Sequence, residues 1–562
     1  METKTQVVDA LATVLPDIQK VDIESKIERP KDTTKGDYAF PAFFLAKQLH
    51  QAPQQIAQDL LAKIDQTGFE KIEVVGPYLN FFLDKVTVGA SILDEIISDP
   101  ANYGSSNVGE GGNVTIDMSS PNIAKPMSMG HLRSTVIGNA LANILKKVNY
   151  NPIKINHLGD WGTQFGKLMT AYKMWGSEAE VKADPINTLQ KYYVRFHQEA
   201  ETNPELDEDA RAWFKKLEDG DPEAMHLWEW FREESLQLFM KIYDLLDVHF
   251  NSFNGEAFYN DKMEEVIELL ESKHLLQESK GAEIVDLEKY NLNPALIKKS
   301  DGATLYITRD LAAAIYRQRT YNFVQSLYVV GNEQQNHFKQ LKAVLKEMGY
   351  DWSDNIHHIP FGLITEGGRK LSTRKGHIIL LEEVLDDAMQ LAKKQIAEKN
   401  PTLANADKVA EQVGVGAVVF HDLKNERLNS FDFDLEEVVR FEGETGPYVQ
   451  YARARSLSIL RKAGNPDLTN VDKKISDPNA WEVIKALGNY GDIVQKAAKD
   501  YEPSVISKYT LQLAKDFNQY YAHSKILVED NEKLARLALV KAVSDVLESG
   551  LALLGVQAPN EM

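Results

Sequence analysis

Cysteine is absent from all 562 positions, which excludes disulfides and thiolate metal ligands. The 13 histidines are scattered without the spacing of a ligand set, so no structural metal is expected. No apolar run approaches the roughly 18 residues a membrane-spanning helix needs, so no membrane partner is expected either. The opening stretch METKTQVVDALATVLPDIQ has the pattern of an amphipathic helix. It lacks the charged start and apolar core of a signal peptide and is not Arg-rich like a transit peptide; a cytoplasmic location is the expectation. Positive charge is in deficit, with 63 Lys and Arg against 83 Asp and Glu, a net charge of −20. That balance argues against nucleic acid only weakly, because phosphate recognition depends on local cation clusters. The acid concentrates at 199–235, whereas GGRKLSTRKGH (367–377) and YARARS (451–456) are basic.

What is present is enough chain for three or four domains at about 150 residues each. The hydrophobic pattern divides it into an α+β amino-terminal region (1–110), an α/β region with a parallel sheet (111–380), and an all-α region (381–562). Between the first two, ISDPANYGSSNVGEGGN reads as a linker. From Val114 the pattern becomes strand, helix, strand: VTIDM, then HLRSTVIGNALANILKKV with apolar residues at helical spacing, then PIKINHL. Such a unit implies a parallel pair with a right-handed crossover. An acidic, helix-like insertion is expected within about 170–300, with a solvated supporting role. Further strands are predicted at ALIKKS and ATLYIT, flanking a hairpin at Asp301–Gly302, and at SLYVVG (326–331) and IHHIPFGLI (356–364). No strand is expected after Leu381.

Two segments carry chemistry. Between Ser119 and His131 the chain leaves a strand and enters a helix, and the exposed N–H groups and dipole of a helix start favour an anion. In open α/β sheets ligands lie at the carboxyl ends of strands, where this turn falls. Gly130 leaves room for a flat base against the backbone, and His131 can donate to a phosphate oxygen as charge develops. The second segment, Gly367 to Gly376, sets four cations and two hydroxyls between glycines, a mobile clamp suited to triphosphate oxygens.

These segments resemble the two signatures of class I aminoacyl-tRNA synthetases: a HIGH-type element at Ser128-Met129-Gly130-His131 and a KMSKS-type loop at Lys370-Leu371-Ser372-Thr373-Arg374. Their flanks are similar to the bacterial-type arginyl-tRNA synthetases. SSPNIAKP, NHLGDWGTQFG (156–166), LYITRDLAAA (305–314), ETGPYVQYARAR (444–455), GDYAFP (36–41), GPYLNFFL (76–83) and the ending LLGVQAPNEM occur in that family's order along nearly the whole chain. Two positions depart from the signatures: serine replaces the first histidine of HIGH at 128, and arginine replaces lysine at 374, with Lys375 following.

The resemblance implies an ATP-dependent ligase that forms arginyl-adenylate and then charges the 3′-terminal adenosine of tRNA(Arg). It implies ATP with Mg²⁺ as the substrate complex, a monomer, a Rossmann-type parallel-sheet catalytic domain, an amino-terminal domain at the tRNA elbow and an anticodon-binding carboxyl-terminal domain. By the same resemblance, His131, Lys370, Arg374 and Lys375 are catalytic, and Ser128, Gly130 and Ser372 join His131 and Lys370 around ATP. Arginine falls to Asp117, Ser120, Asn122, Tyr306, Asp310 and Gln334, with Asn122 holding the α-amino group. The chemistry fits: a guanidinium is planar, always charged and carries five donors, so its pocket requires carboxylates in fixed geometry. Glutamate or glutamine would instead want cationic or amide partners where Asp117 and Asp310 stand. For tRNA the implied residues are Tyr78, Asn80, Tyr448, Tyr451, Arg455, Tyr520 and Met562, with Tyr521 beside them; aromatic rings stack on unpaired bases. Arg453 and Arg455, two apart on a helix, are expected on different faces.

Overall fold

The structure is a computed structural model, and it describes residues 3–30, 32–298, 306–367, 369–370, 373–374 and 377–562. The alternation in 69–83 forms an antiparallel sheet of order β1-β3-β2, built from β1 (Tyr38–Pro41), β2 (Phe69–Val75) and β3 (Tyr78–Leu83). The Thr3–Val14 and Pro53–Leu61 helices contribute to the same core. The helix Lys85–Ser98 then carries this unit onto the carboxyl-terminal helices, where Lys473 donates to Asp94 at 2.8 Å and Arg29 to Asn489 at 2.6 Å.

The central sheet is parallel and four-stranded, in the order β10-β9-β4-β5. Its strands are β4 (Asn113–Asp117), β5 (Asn151–Ile155), β9 (Gln325–Tyr328) and β10 (Ile356–His358). Val114, Ile116, Leu327 and Ile356 are fully buried, as expected of strands covered on both faces. The chain passes from β4 to β5 through the helix Met129–Lys147, and later returns to the other side of β4 as β9. The strand order therefore reverses beside β4, and the carboxyl ends of β4 and β9 open onto the crevice where such sheets hold ligands.

The insertion is helical from Thr163 to Ser272 and then forms a small antiparallel sheet, β6 (Leu276–Ser279), β7 (Ala282–Val285) and β8 (Ala295–Lys298). The expected strand at 303–308 is not formed over its described part: Tyr306–Tyr321 is a helix, with Ile307, Thr308 and Leu311 on its buried side. Asp301 and Gly302 lie outside the described residues. The predicted strand 356–364 is broken at Pro360–Gly362, after which β11 (Ile364–Glu366) pairs with β12 (Arg369–Lys370). The short strands β13 (Thr373–Arg374) and β14 (His377–Ile378) follow. Past Leu381 helices dominate, with one exception among the described residues: β15 (Phe431–Asp432) runs parallel to β11.

Candidate active site

The turn after β4 is tightly wound. Ser119, Ser120 and Ala124 all adopt positive φ (73°, 52° and 60°), a cluster of costly backbone states that surrounding contacts must hold. Those contacts come from two sides. From the helix Met129–Lys147, Ser134 Oγ accepts from the Ser119 N–H at 2.8 Å and donates to the Val329 carbonyl at 2.6 Å, while Thr135 Oγ1 lies 2.8 Å from Ser119 Oγ. From the insertion helix Pro222–Leu245, the Tyr243 hydroxyl bonds Ser119 Oγ at 2.7 Å and accepts from Asn156 at 2.9 Å. Ser235 Oγ accepts from the Ala124 N–H at 3.1 Å. The inner face of the acidic insertion is thus a buttress of the turn.

Asn122 is exposed and held by a strand-like crossing: Gly159 N–H donates to Pro121 at 3.0 Å, and Ile123 N–H donates to Gly159 at 3.1 Å. A Cβ on Gly159 would lie 2.1 Å from Asn122 Oδ1. Glycine is required there for Asn122 to keep its place.

Ser128 is the N-cap of the helix Met129–Lys147, and the His131 ring folds back so that Nδ1 accepts the Ser128 N–H at 3.0 Å. That bond leaves the proton of a neutral imidazole on Nε2. Burial holds the ring below the ordinary imidazole value, and Lys125 adds to the depression. The ring is therefore neutral at pH 7, with its one N–H on Nε2. Gly130 is exposed, and a Cβ there would meet only Ser128 Oγ at 3.5 Å, so nothing within the described chain excludes a side chain from that position.

The loop half of the site is stitched to this helix start. Leu381 N–H donates to Met127 at 2.9 Å, Met129 N–H to Ile379 at 3.4 Å, and Ser128 pairs with Leu380. Segments about 250 residues apart in sequence thus share one backbone seam. Lys370 and Arg374 lie in β12 and β13, whereas Ser372 and Lys375 lie outside the described residues.

Of the two carboxylates expected to meet arginine, Asp117 is engaged already. Arg317, itself fully buried, pairs with its Oδ2 at 2.8 Å, and Ser120 Oγ donates to its Oδ1 at 3.2 Å. Both of its oxygens therefore have partners within the chain. The buried pair is a floor, continued by Tyr328, over which the Arg317 guanidinium lies 5.3 Å from the ring centre, and by His157 at 3.4 Å. Nearby, Asp160 takes Arg232 at 2.9 Å, and Glu256 lies 3.9 Å from Arg309. Burial pushes the Glu256 carboxyl up to about 7, against the pull of Arg309 and with the neighbouring charges of Asp160 and Asp310 adding to the rise. Asp310 differs: it is part-exposed, meets His337 Nε2 at 2.5 Å, and pairs with no guanidinium among the described residues. Tyr306 stands 70% exposed at the start of the same helix, and Gln334 is exposed in the turn after β9.

Three further matches bear on identity. Family profiles for the arginyl-tRNA synthetase N-terminal domain, the catalytic domain of class I (R) tRNA synthetases and the DALR anticodon-binding domain match residues 1–83, 93–435 and 449–562. An arginine–tRNA ligase of Limosilactobacillus fermentum is 68% identical over 562 residues, covering 100% of both chains. That of Ligilactobacillus salivarius is 70% identical over 97% of each. The chain belongs to the arginyl-tRNA synthetase family. The arginyl-tRNA synthetase of Thermus thermophilus superposes with a TM-score of 0.83 at 26% identity, covering 100% of both chains. That of Plasmodium falciparum shares the fold, with a TM-score of 0.80 over 100% of this chain and 98% of its own. The enzyme activates L-arginine with ATP to arginyl-adenylate and pyrophosphate, then transfers arginine to the 3′-terminal adenosine of tRNA(Arg).

The expected tRNA-contacting residues separate by exposure. Arg455 lies over Tyr451 (4.9 Å) and Tyr521 (5.5 Å), and its guanidinium donates to Asn518, which in turn donates to the Tyr448 hydroxyl at 2.9 Å. Tyr451, Tyr521, Arg455, Asn400, Arg461 and Met562 line a cleft of about 390 Å³. Tyr520 is only 1% exposed and belongs to the helical core, so its ring is not presented for stacking; the neighbouring Tyr521 is. Arg453 is buried, pairing with Glu548 and donating to the Ala558 carbonyl at 2.8 Å, on a different face from Arg455. In the amino-terminal domain Asn80 is buried, while Tyr78 is half-buried, edge-on to the exposed Phe43.

Sequence reasoning missed Tyr243, Ser235, Gly159, Arg317 and His337. Gly159 alone left a signal, as a glycine inside the quoted NHLGDWG phrase.

Proposed function

We propose that Asp310 is the residue that selects arginine, receiving the substrate guanidinium with Tyr306 and Gln334 around it and Asn122 at the α-amino group. The observation carrying this reading is the pairing pattern: Asp117, Asp160 and Glu256 each face a guanidinium of the chain itself, and among the described residues Asp310 does not. A carboxylate already oriented by His337 and left part-exposed at the crevice matches a planar, five-donor ligand.

ATP enters as its Mg²⁺ complex. Gly130 lets the base approach the helix start, and His131 Nε2 donates to a phosphate oxygen. Lys370, Ser372, Arg374 and Lys375 close over the triphosphate. The arginine carboxylate attacks the α-phosphorus in line, forming a phosphorus–oxygen bond as that to pyrophosphate breaks. The 2′-hydroxyl of the terminal adenosine then attacks the acyl carbon and AMP leaves. Positioning and electrostatic stabilisation carry both steps. Asp117 acts by holding Ser120 and Arg317 beneath the substrate.

We further assign residues 1–110 to the tRNA elbow, 111–380 to catalysis and 381–562 to the anticodon, with Tyr78, Tyr448, Tyr451, Arg455 and Met562 toward tRNA. The enzyme works as a cytoplasmic monomer. The test is amino-acid-dependent ATP–pyrophosphate exchange across the twenty amino acids, with and without tRNA(Arg). Arginine alone should drive exchange, and only with tRNA present; exchange with another amino acid would defeat the pocket assignment.

A further inference from the structure

Two residues beyond His131 on the same helix, Arg133 is 1% exposed and reaches away from the crevice into the helical domain. Its Nε pairs at 3.3 Å with Asp422, also 1% exposed, near the end of the helix Ala406–Lys424. Its Nη1 donates to the Asn429 carbonyl at 3.0 Å, and the guanidinium lies over Phe431 (5.0 Å) and Phe361 (5.8 Å). The 3.3 Å contact is to Oδ2, which accepts no aligned hydrogen bond among the described residues; Nε donates to Oδ1 at 3.4 Å, and Nη2 is buried without a partner there. An ion pair so incompletely satisfied is a poor source of stability, since its desolvation is only partly offset. Burial pushes the Asp422 carboxyl up to about 6, against the pull of Arg133.

The residues it holds lead to the loop. Phe431 and Asp432 pair with Ile364 and Thr365 of β11, the strand entering the basic loop. Upstream, Gly362 N–H donates to Arg427 at 2.8 Å, and Leu363 N–H to Ser430 Oγ at 2.9 Å. The crossing is close: a Cβ on Gly362 would sit 2.7 Å from the Asn429 backbone. The exit of the loop is fixed to the helix start by the Ser128–Leu380 seam. The entry is fixed to the same helix through residues 429–431 and Arg133.

We propose that the Arg133–Asp422 pair is a positioning device that sets the basic loop against the ATP-contacting end of the helix, making the helical domain part of amino-acid activation. This rests on the ATP site described above. Losing the pair loosens one anchor of the loop, so it weakens ATP use while leaving the arginine pocket intact. Couplings of this kind shift an equilibrium by about 2- to 30-fold.

The experiment is tRNA-supported exchange by the full-length enzyme carrying Asp422→Asn or Arg133→Lys, with Lys473→Met as a control. The control breaks another contact between domains, in which buried Lys473 meets the exposed Asp94 on the helix Lys85–Ser98. The expected result is an ATP KM raised ~2- to 30-fold in both loop-side variants, an arginine KM within about twofold of wild type, and neither changed in Lys473→Met. A wild-type ATP KM in folded Asp422→Asn overturns the proposal. So does an equal rise in Lys473→Met, which would reduce the effect to general destabilisation. If Asp422→Asn does not fold, Arg133→Lys decides: it keeps the charge but not the fork, and a normal ATP KM there overturns the proposal. His131→Asn separates the two layers, because full activity in that variant refutes the ATP site itself.

Discussion

A methyl group on Gly159 is a small change with a directed consequence. The new Cβ would stand 2.1 Å from Asn122 Oδ1, 3.0 Å from Cγ and 3.3 Å from Cα. Gly159 does not occupy a left-handed backbone state, so alanine adds no φ strain there. Asn122 is exposed, and its side chain relieves the contact by rotating away, at a cost of about 0.5–1.5 kcal/mol if it settles off-rotamer. The backbone bonds from Gly159 N–H to Pro121 and from Ile123 N–H to Gly159 survive, so the melting temperature should fall only a few degrees. What is lost is the placement of the Asn122 amide. A hydrogen bond to a charged group is worth about 1.5–3 kcal/mol, so kcat/KM for arginine should fall about 10- to 150-fold, with the ATP KM nearly unchanged. Steady-state exchange at saturating tRNA measures this, with Asn122→Ala alongside. The two variants remove the same contact, so their effects should not add. Full additivity, or a normal arginine kcat/KM in folded Gly159→Ala, would refute the role given to Asn122.

Other outcomes follow from the same geometry. His131→Asn, lacking the Nε2 donor, should lower kcat for exchange about 10²–10³-fold. Because burial lowers the His131 pKa, the ring is neutral above pH 6.5, and any loss traceable to its protonation should begin only as pH falls below that value. Tyr243→Phe leaves Asn156 Nδ2 without its acceptor and takes the hydroxyl from Ser119, so it should cost about 1–3 kcal/mol of stability in denaturant unfolding and raise the ATP KM. Tyr451→Ala and Tyr521→Ala should each raise the KM for tRNA by an amount near the ~1–3 kcal/mol of a base stack, while Tyr520→Phe should not.

Features written locally in the chain were legible in it. The strand VTIDM, the helix behind it and the glycine–histidine start are read within some thirty residues, and the helix periodicity is that of Leu132, Val136, Ile137, Leu141, Ile144 and Leu145, all buried. The two ATP segments were recognisable separately, but their juxtaposition depends on the seam at Ser128 and Leu380, which no local pattern encodes. ATLYIT alternates like a strand, yet Ile307, Thr308 and Leu311 also make a helix face, and packing against β8 and the helix Gln335–Glu347 selects the helix. Asp117 was correctly placed at the strand end, but its partner is 200 residues away. Nothing near Asp117 announces Arg317. Tyr243 and Ser235 were hidden for the same reason, lying 124 and 111 residues from the turn positions they hold.

The central claim is that Asp310, the carboxylate with no guanidinium partner among the described residues, is what makes this an arginine enzyme. The direct measurement is kcat/KM in tRNA-supported exchange for arginine and for citrulline, its neutral isostere, with the wild type and Asp310→Asn. A site built around a charged group rejects an analogue lacking it by about 10⁴–10⁵. Removing one partner of a buried charge pair costs roughly 2–5 kcal/mol, so Asp310→Asn should lose about 30- to 5,000-fold toward arginine, and its preference over citrulline should collapse accordingly. A folded Asp310→Asn enzyme that still prefers arginine over citrulline by the wild-type ratio would contradict the account.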